Sequence, residues 1–98
     1  MSIHRYAAKV DANQRQVISA LEAAGAKVEV IRQPLDLLVG MNGKWLLLEV
    51  KNPSGKNETT NAQEAFYKRF PGYPWAQVDG AEAALRHLRV LVNNVSGD

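Results

Sequence analysis

Apolar positions along this chain alternate between two spacings, and the changes of spacing outline seven elements. Gln14, Val17, Ile18 and Leu21 recur at helical intervals after Asp11, a residue suited to an N-cap, and Gly25 is placed to end that helix. Lys27 to Arg32 alternates polar and apolar and predicts a short strand. Two apolar runs, Leu35–Val39 and Trp45–Val50, flank Asn42-Gly43, the dipeptide that supplies the two positive φ angles of a type I′ turn, so they predict a hairpin. Both faces of that hairpin are apolar: Leu35, Leu37, Val39, Leu46, Leu48 and Val50 on one, Leu38, Trp45 and Leu47 on the other. Strands of this kind belong inside a sheet covered on both sides.

Asn52 to Thr59, with Pro53, Gly55, Lys56 and Asn57, reads as a loop. Thr60 and Gln63 fit a capping box, and Ala62, Ala65, Phe66 and Phe70 give the following helix an apolar stripe. Pro71-Gly72 and Pro74 close it, Trp75 to Val78 predicts a strand, and Asp79 with Glu82 opens a last helix carrying Leu85, Leu88, Leu91 and Val92. The order helix, three strands, helix, strand, helix predicts an α/β fold, a mixed central sheet flanked by helices.

The hairpin carries charge as well. Counting outward from the turn places Asp36 opposite Glu49, on one face and with Cβ atoms about 5 Å apart. Lys51, two residues beyond Glu49, shares that face. Opposed like charges destabilise a sheet, and two carboxylates this close in apolar surroundings force one to keep its proton. A bound divalent cation with a taste for oxygen ligands would remove the conflict. So would neutralisation of one carboxylate by Lys51, with the other turned to water.

The chain has 98 residues, enough for one domain spanning 1–98. It has no cysteine, which rules out disulfides and thiolate metal sites. No apolar stretch resembles a signal peptide or approaches the roughly 20 residues of a membrane span, so a cytoplasmic protein without a membrane partner is expected. A net charge of +2 suits a nucleic-acid partner without demanding one. His4 and His87 stand too isolated to make a general base.

Asp36, then Glu49-Val50-Lys51 after a hairpin, in an αβββαβ order, resembles the PD-(D/E)XK nuclease superfamily with its restriction-endonuclease-like core. Asp11-x-Asn13-Gln14 before the first helix, Asp36-Leu37-Leu38-Val39-Gly40, the basic loop after Lys51, and Thr60-x-x-Gln63-x-x-Phe66 narrow the likeness. It points to the small stand-alone nucleases of phages and prophages, near the VRR-NUC and Holliday-junction-resolvase-like groups, and covers about Arg5 to Leu88. Two features depart from the pattern: Pro34 stands two residues before Asp36 rather than one, and the first helix offers Asp11, Asn13, Gln14 and Gln16 but no glutamate.

The resemblance implies a metal-dependent DNA endonuclease hydrolysing phosphodiester bonds, with a four-way junction or other branched DNA as favoured substrate and a bacterial or phage-infected cytoplasm as its setting. Asp36 and Glu49, with the Val50 carbonyl, would hold Mg²⁺ or Mn²⁺, and Lys51 would orient the attacking water or offset transition-state charge, where its plainer role is a salt bridge. Gln63 would point at water or phosphate, or do no more than complete the capping box. Arg5, Lys9, Arg15, Lys56 and Lys68, with Arg69, are candidate phosphate contacts. Phe70, Tyr67, Tyr73 and Trp75 could stack on bases, though packing or a subunit interface is the plainer reading. Symmetric cutting needs two sites, hence a homodimer. Two other readings remain: a catalytically inactive nuclease-fold module binding DNA or protein, and an RNA-cleaving nuclease of the same fold.

Overall fold

A computed structural model describes residues 12–52 and 59–93. Asp11 and the basic candidates Arg5, Lys9 and Lys56 lie outside them. The elements are α1 (Ala12–Ala23), β1 (Lys27–Val30), β2 (Leu37–Met41), β3 (Lys44–Val50), α2 (Asn61–Arg69), β4 (Trp75–Val78) and α3 (Ala81–Asn93). The four strands form one sheet in the order β1-β2-β3-β4, the first two pairings antiparallel and the last parallel. The chain is therefore an α/β protein built on a mixed open sheet flanked by helices.

Local chemistry explains the boundaries. Gly25, at φ +100°, terminates α1 in the left-handed conformation that costs glycine least. Asn42 and Gly43, at φ 55° and 77°, form the hairpin turn, which sets Leu37 opposite Leu48 and Met41 opposite Lys44. Thr60 and Gln63 make the expected capping box: the Gln63 N–H donates to Thr60 Oγ1 at 3.1 Å, and the Thr60 N–H donates to Gln63 Oε1 at 3.3 Å. The N-cap of α3 falls one residue later than the sequence predicts. Its first intrahelical bond runs from Ala84 N–H to Gly80 C=O, so Gly80 is the N-cap and the Asp79 carbonyl is free for another partner. β1 stops at Val30 rather than Arg32, because Arg32 adopts φ 74° and turns the chain out of the strand direction.

The core occupies one side of the sheet. Leu37, Val39, Leu46, Leu48, Ala76 and Val78 meet Val17 and Leu21 of α1 and Ala84 and Leu88 of α3 in a single buried cluster. Among the described residues the other face is only partly covered, which differs from the expectation of a sheet buried on both sides. There α2 reaches the β4 margin through aromatic contacts: Tyr67 stacks on Trp75 with ring centroids 4.4 Å apart, and Phe66 packs beside both. No residue of α2 is fully buried, and Ala62 and Ala65 face solvent. Towards β1 the open face holds Leu38 and Leu47 half-buried and Trp45 63% exposed. An apolar second face was thus misread as covered, since a run of leucines does not say how far a nine-residue helix can reach.

Candidate active site

The open face becomes charged where the parallel pair β3·β4 ends. Carboxyl ends of parallel strands are where open α/β sheets place their ligand sites, because connecting segments diverge there and leave a crevice. Glu49 lies on this face, in register with Gln77 of β4. It is 8% exposed, the one charged residue in the buried set among the described residues.

Asp36 is held by both its main chain and its carboxylate. Its N–H donates to the Leu48 carbonyl at 3.0 Å, and its C=O accepts from the N–H groups of Ile31 and Arg32 at 2.9 and 3.2 Å. Asp36 Oδ2 accepts the Val50 N–H at 2.8 Å. The side chain thus continues a ladder that the main chain has left, a competition for backbone donors at which aspartate excels. Regular pairing ends at Leu37 and Leu48, so Asp36 is not the simple cross-strand partner of Glu49 that counting from the turn predicts. Its N–H and C=O point to opposite neighbours, and the strand turns there. The alternation of β3 directs the Val50 C=O to the same side as its N–H, towards the Asp36 carboxylate.

The two carboxylates interact nonetheless. Burial pushes the Glu49 pKa above its ordinary value, the negative charge of Asp36 pushes it further, and the Gln63 amide and Lys51 ammonium pull the other way. Lys51 Nζ stands 4.0 Å from Glu49 Oε2, its side chain 16% exposed. Glu49 Oε1 is buried with no hydrogen-bond partner. A buried carboxylate oxygen in that condition calls for an explanation, and a bound cation is one. Gln63 completes the expected capping box through its Oε1, and its side chain also acts on Glu49.

Three further residues shape the surroundings, of which Asn13 and Tyr67 were already named from the sequence and Gln77 was not. Asn13 of α1 donates through Nδ2 to the carbonyls of Lys51, at 2.9 Å, and Asp79, at 3.1 Å. One amide therefore ties the ends of β3 and β4 to the start of α1 and fixes the stem from which the Lys51 side chain leaves. Gln77 donates to the Tyr67 hydroxyl at 3.0 Å. The Tyr67 pKa is raised by burial first and by the charges of Glu49 and Asp36, against the lowering effect of Gln77, which places the phenol within reach of the carboxylate field. Asn13 was legible as a candidate from its place at a helix start. Gln77 was not, because its register with Glu49 comes from a parallel pairing that leaves no local signal in sequence.

An open cleft is lined by Arg32, Gln33, Pro34, Thr60, Ala62 and Gln63, the last of which interacts with Glu49. Arg15 on α1 and Lys68 on α2 are exposed. The aromatic candidates pack chiefly against one another, Trp75 donating to the Phe70 carbonyl at 2.6 Å and Tyr73 meeting the Phe70 ring edge-on. Among the described residues no group of three or more His, Cys, Asp or Glu side chains could hold a metal ion. Two carboxylates and main-chain carbonyls are nevertheless a donor set suited to Mg²⁺, which keeps most of its waters and takes one or two carboxylates plus substrate phosphate. No family model, curated protein or solved structure matches this chain.

Proposed function

We infer that this chain is a metal-dependent DNA endonuclease with a restriction-endonuclease-like core, acting on phosphodiester bonds at the carboxyl end of β3. The observation that carries the reading is Glu49 Oε1, a buried carboxylate oxygen without a partner, beside the Asp36 carboxylate and 4.0 Å along the same side chain's other oxygen from Lys51. Burial beside Asp36 raises the cost of ionising Glu49, and a hard cation held between the two carboxylates would offset that cost while giving the oxygen a partner.

In this reading Asp36, Glu49 and the Val50 carbonyl hold Mg²⁺ or Mn²⁺. When bound, the ion supplies Lewis-acid polarisation of the phosphate and a lowered pKa for attacking water. The chain's own residues do the rest. The Val50 N–H fixes the Asp36 carboxylate through Oδ2. The Gln63 side chain opposes the upward shift that burial and Asp36 impose on Glu49. Lys51 donates a hydrogen bond to the incoming water or to a phosphate oxygen, offsetting charge as the water oxygen bonds to phosphorus and one P–O ester bond breaks. Asn13 holds the Lys51 carbonyl and thereby the direction of that side chain. With no described element that would enter a groove to read bases, selectivity would rest on DNA shape, which makes branched DNA the first substrate to test.

The test is cleavage of a four-way DNA junction beside linear duplex, nicked, single-stranded and matched RNA substrates, in Mg²⁺, Mn²⁺ or EDTA, for wild type and Lys51→Met. Paired symmetric cuts on the junction that need metal and vanish in the variant are expected. Cutting of every DNA substrate would keep the nuclease and remove junction selectivity. Preferential RNA cutting would move the activity to RNA. Junction binding without cutting would overturn catalysis in favour of a binding module.

A further inference from the structure

We propose that two copies of this chain join edge to edge through β1, antiparallel, about a two-fold axis passing beside Val28. β1 is the outer strand of the described sheet. Its pairing with β2 sets Lys27 opposite Gly40 and Glu29 opposite Leu38, and the ladder continues with the Ile31 N–H donating to Asp36 C=O. In an antiparallel ladder the hydrogen-bonding direction alternates residue by residue. Lys27, Glu29 and Ile31 therefore turn their main-chain groups to β2, and Val28 and Val30 turn theirs to the outer edge. Such an edge is a template for another strand.

The sequence of the edge selects both the occupant and the register. Outward and inward groups alternate, so a two-fold pairing of β1 with itself must be centred on a residue, not between two. Centred on Glu29, it would oppose Glu29 to Glu29. Centred on Lys27, it would oppose Lys27 to Lys27, and centred on Val30, Glu29 would face Ile31. Only centring on Val28 sets Lys27 of each copy against Glu29 of the other, twice. Those are the non-hydrogen-bonded pairs, whose Cα atoms stand about 4.5 Å apart and whose side chains are closest. Val28 meets Val28 in the hydrogen-bonded pair between them. Lys27 and Glu29 are exposed in the single chain, and Val28 is half-buried. A charged edge ordinarily repels further strands when one sign dominates. Here the signs alternate, and a second copy of the same strand is their complement.

The arrangement has a consequence for the site, which rests on the nuclease reading although the interface does not. A two-fold axis normal to the sheet keeps like faces together. Lys27, Glu29, Leu38, Trp45 and Glu49 all lie on the open face, and a hollow of about 520 Å³ lined by Lys27, Glu29, Leu38, Gly40 and Trp45 would adjoin its counterpart across the axis. The result is one eight-stranded sheet with both carboxylate sites looking the same way. From strand spacing and rise they stand about 24 Å apart across the strands and about 20 Å apart along them. Two sites on one surface are what symmetric cutting of a branched or duplex substrate requires.

The experiment is sedimentation equilibrium of the full chain, with circular dichroism to confirm folding of each variant. Wild type is expected to dimerise. Lys27→Glu and Glu29→Lys each place like charges opposite in both pairs and should raise the dimer dissociation constant about ten-fold or more. The double variant Lys27→Glu/Glu29→Lys should restore it. Because the chain has no cysteine, Val28→Cys gives a clean second readout: in a hydrogen-bonded pair the Cα separation of about 5.5 Å suits a disulfide, so mild oxidation should yield a covalent dimer, whereas Glu29→Cys should not. A wild type monomeric at every concentration, a double variant as weak as either single one, or cross-linking of Glu29→Cys in preference to Val28→Cys would each overturn the proposal. A cross-linked dimer that cuts nothing would leave the interface standing and overturn the nuclease. A monomer that cuts would do the reverse.

Discussion

The two faces of this sheet are made from the same strands and follow opposite rules. On the helix-covered face Leu37, Val39, Leu46 and Leu48 are sealed against α1 and α3, with no charged group among them. On the other face Glu49, one residue along from Leu48, is nearly as buried, yet carries a carboxylate with an oxygen that nothing satisfies. Alternation along β3 therefore separates stability from chemistry residue by residue. The first face should respond to a change of volume, and the second to a change of charge.

Lys51→Met should draw that line most sharply. It keeps the aliphatic stem and removes the ammonium, so cleavage is expected to fall by about 10²–10⁴-fold, the usual scale for a positioned proton-handling or charge-offsetting group. Stability should move by less than about 1 kcal/mol, since the 4.0 Å contact to Glu49 is one long ion pair. Urea unfolding beside a cleavage assay measures both. A parallel loss of stability and activity would erase the distinction between the faces. Leu48→Ala is the converse. Loss of a fully buried leucine costs about 2–5 kcal/mol, read as a lower urea midpoint, with cleavage at low temperature retained by whatever fraction stays folded.

A smaller effect tests why Glu49 is buried at all. Its pKa is raised, by burial first and Asp36 second. Between the ordinary carboxylate value and the raised one, the folded chain binds more protons than the unfolded chain, so without metal this group makes stability fall as pH rises through that window. Mn²⁺ should reverse the loss. Its stabilisation is expected to be on the order of 1–3 kcal/mol at saturation and to grow as pH rises, because the ion competes with the proton for the Glu49 carboxylate. Glu49→Gln should stabilise the metal-free chain at pH 8 and abolish the response to Mn²⁺. Thermal unfolding with and without the ion decides this, independently of any cleavage.

Much of this contrast was legible in sequence, and its failures have physical causes. Asn42-Gly43 fixed the hairpin, because few residues accept two successive positive φ angles, and the hairpin fixed the core-facing leucines. The convergence of Asp36, Glu49 and Lys51 followed from period-two counting, whereas Gln63 entered the site only through the resemblance. The manner of convergence did not follow. Asp36 leaves the ladder because its side chain competes for the Val50 N–H, a tertiary choice that counting from a turn cannot see. Coverage of the second face was misjudged because local hydrophobicity is the same for a strand under a helix and one beside it. Gln77 was invisible because a parallel partner is set by a crossover through α2 and not by neighbours in the chain.

Asn13 gives the smallest predicted effect, and it joins the two faces. It belongs to α1, which covers the core, but its amide is spent on the carbonyls of Lys51 and Asp79 at the ends of β3 and β4. Asn13→Ala removes two partly exposed hydrogen bonds, each worth about 0.5–1.5 kcal/mol, so a loss of about 1–2 kcal/mol is expected. If Asn13 only staples the fold, cleavage under native conditions should be unchanged. If it also aims Lys51, kcat should drop with KM little altered, because a side chain leaving a loosened backbone reaches the transition state less often while the surface that binds DNA stays as it was. A fall in kcat at unchanged KM would show that the covered face reaches the chemistry through one amide. A change in stability alone would show that the two faces are as separate as the alternation of β3 makes them.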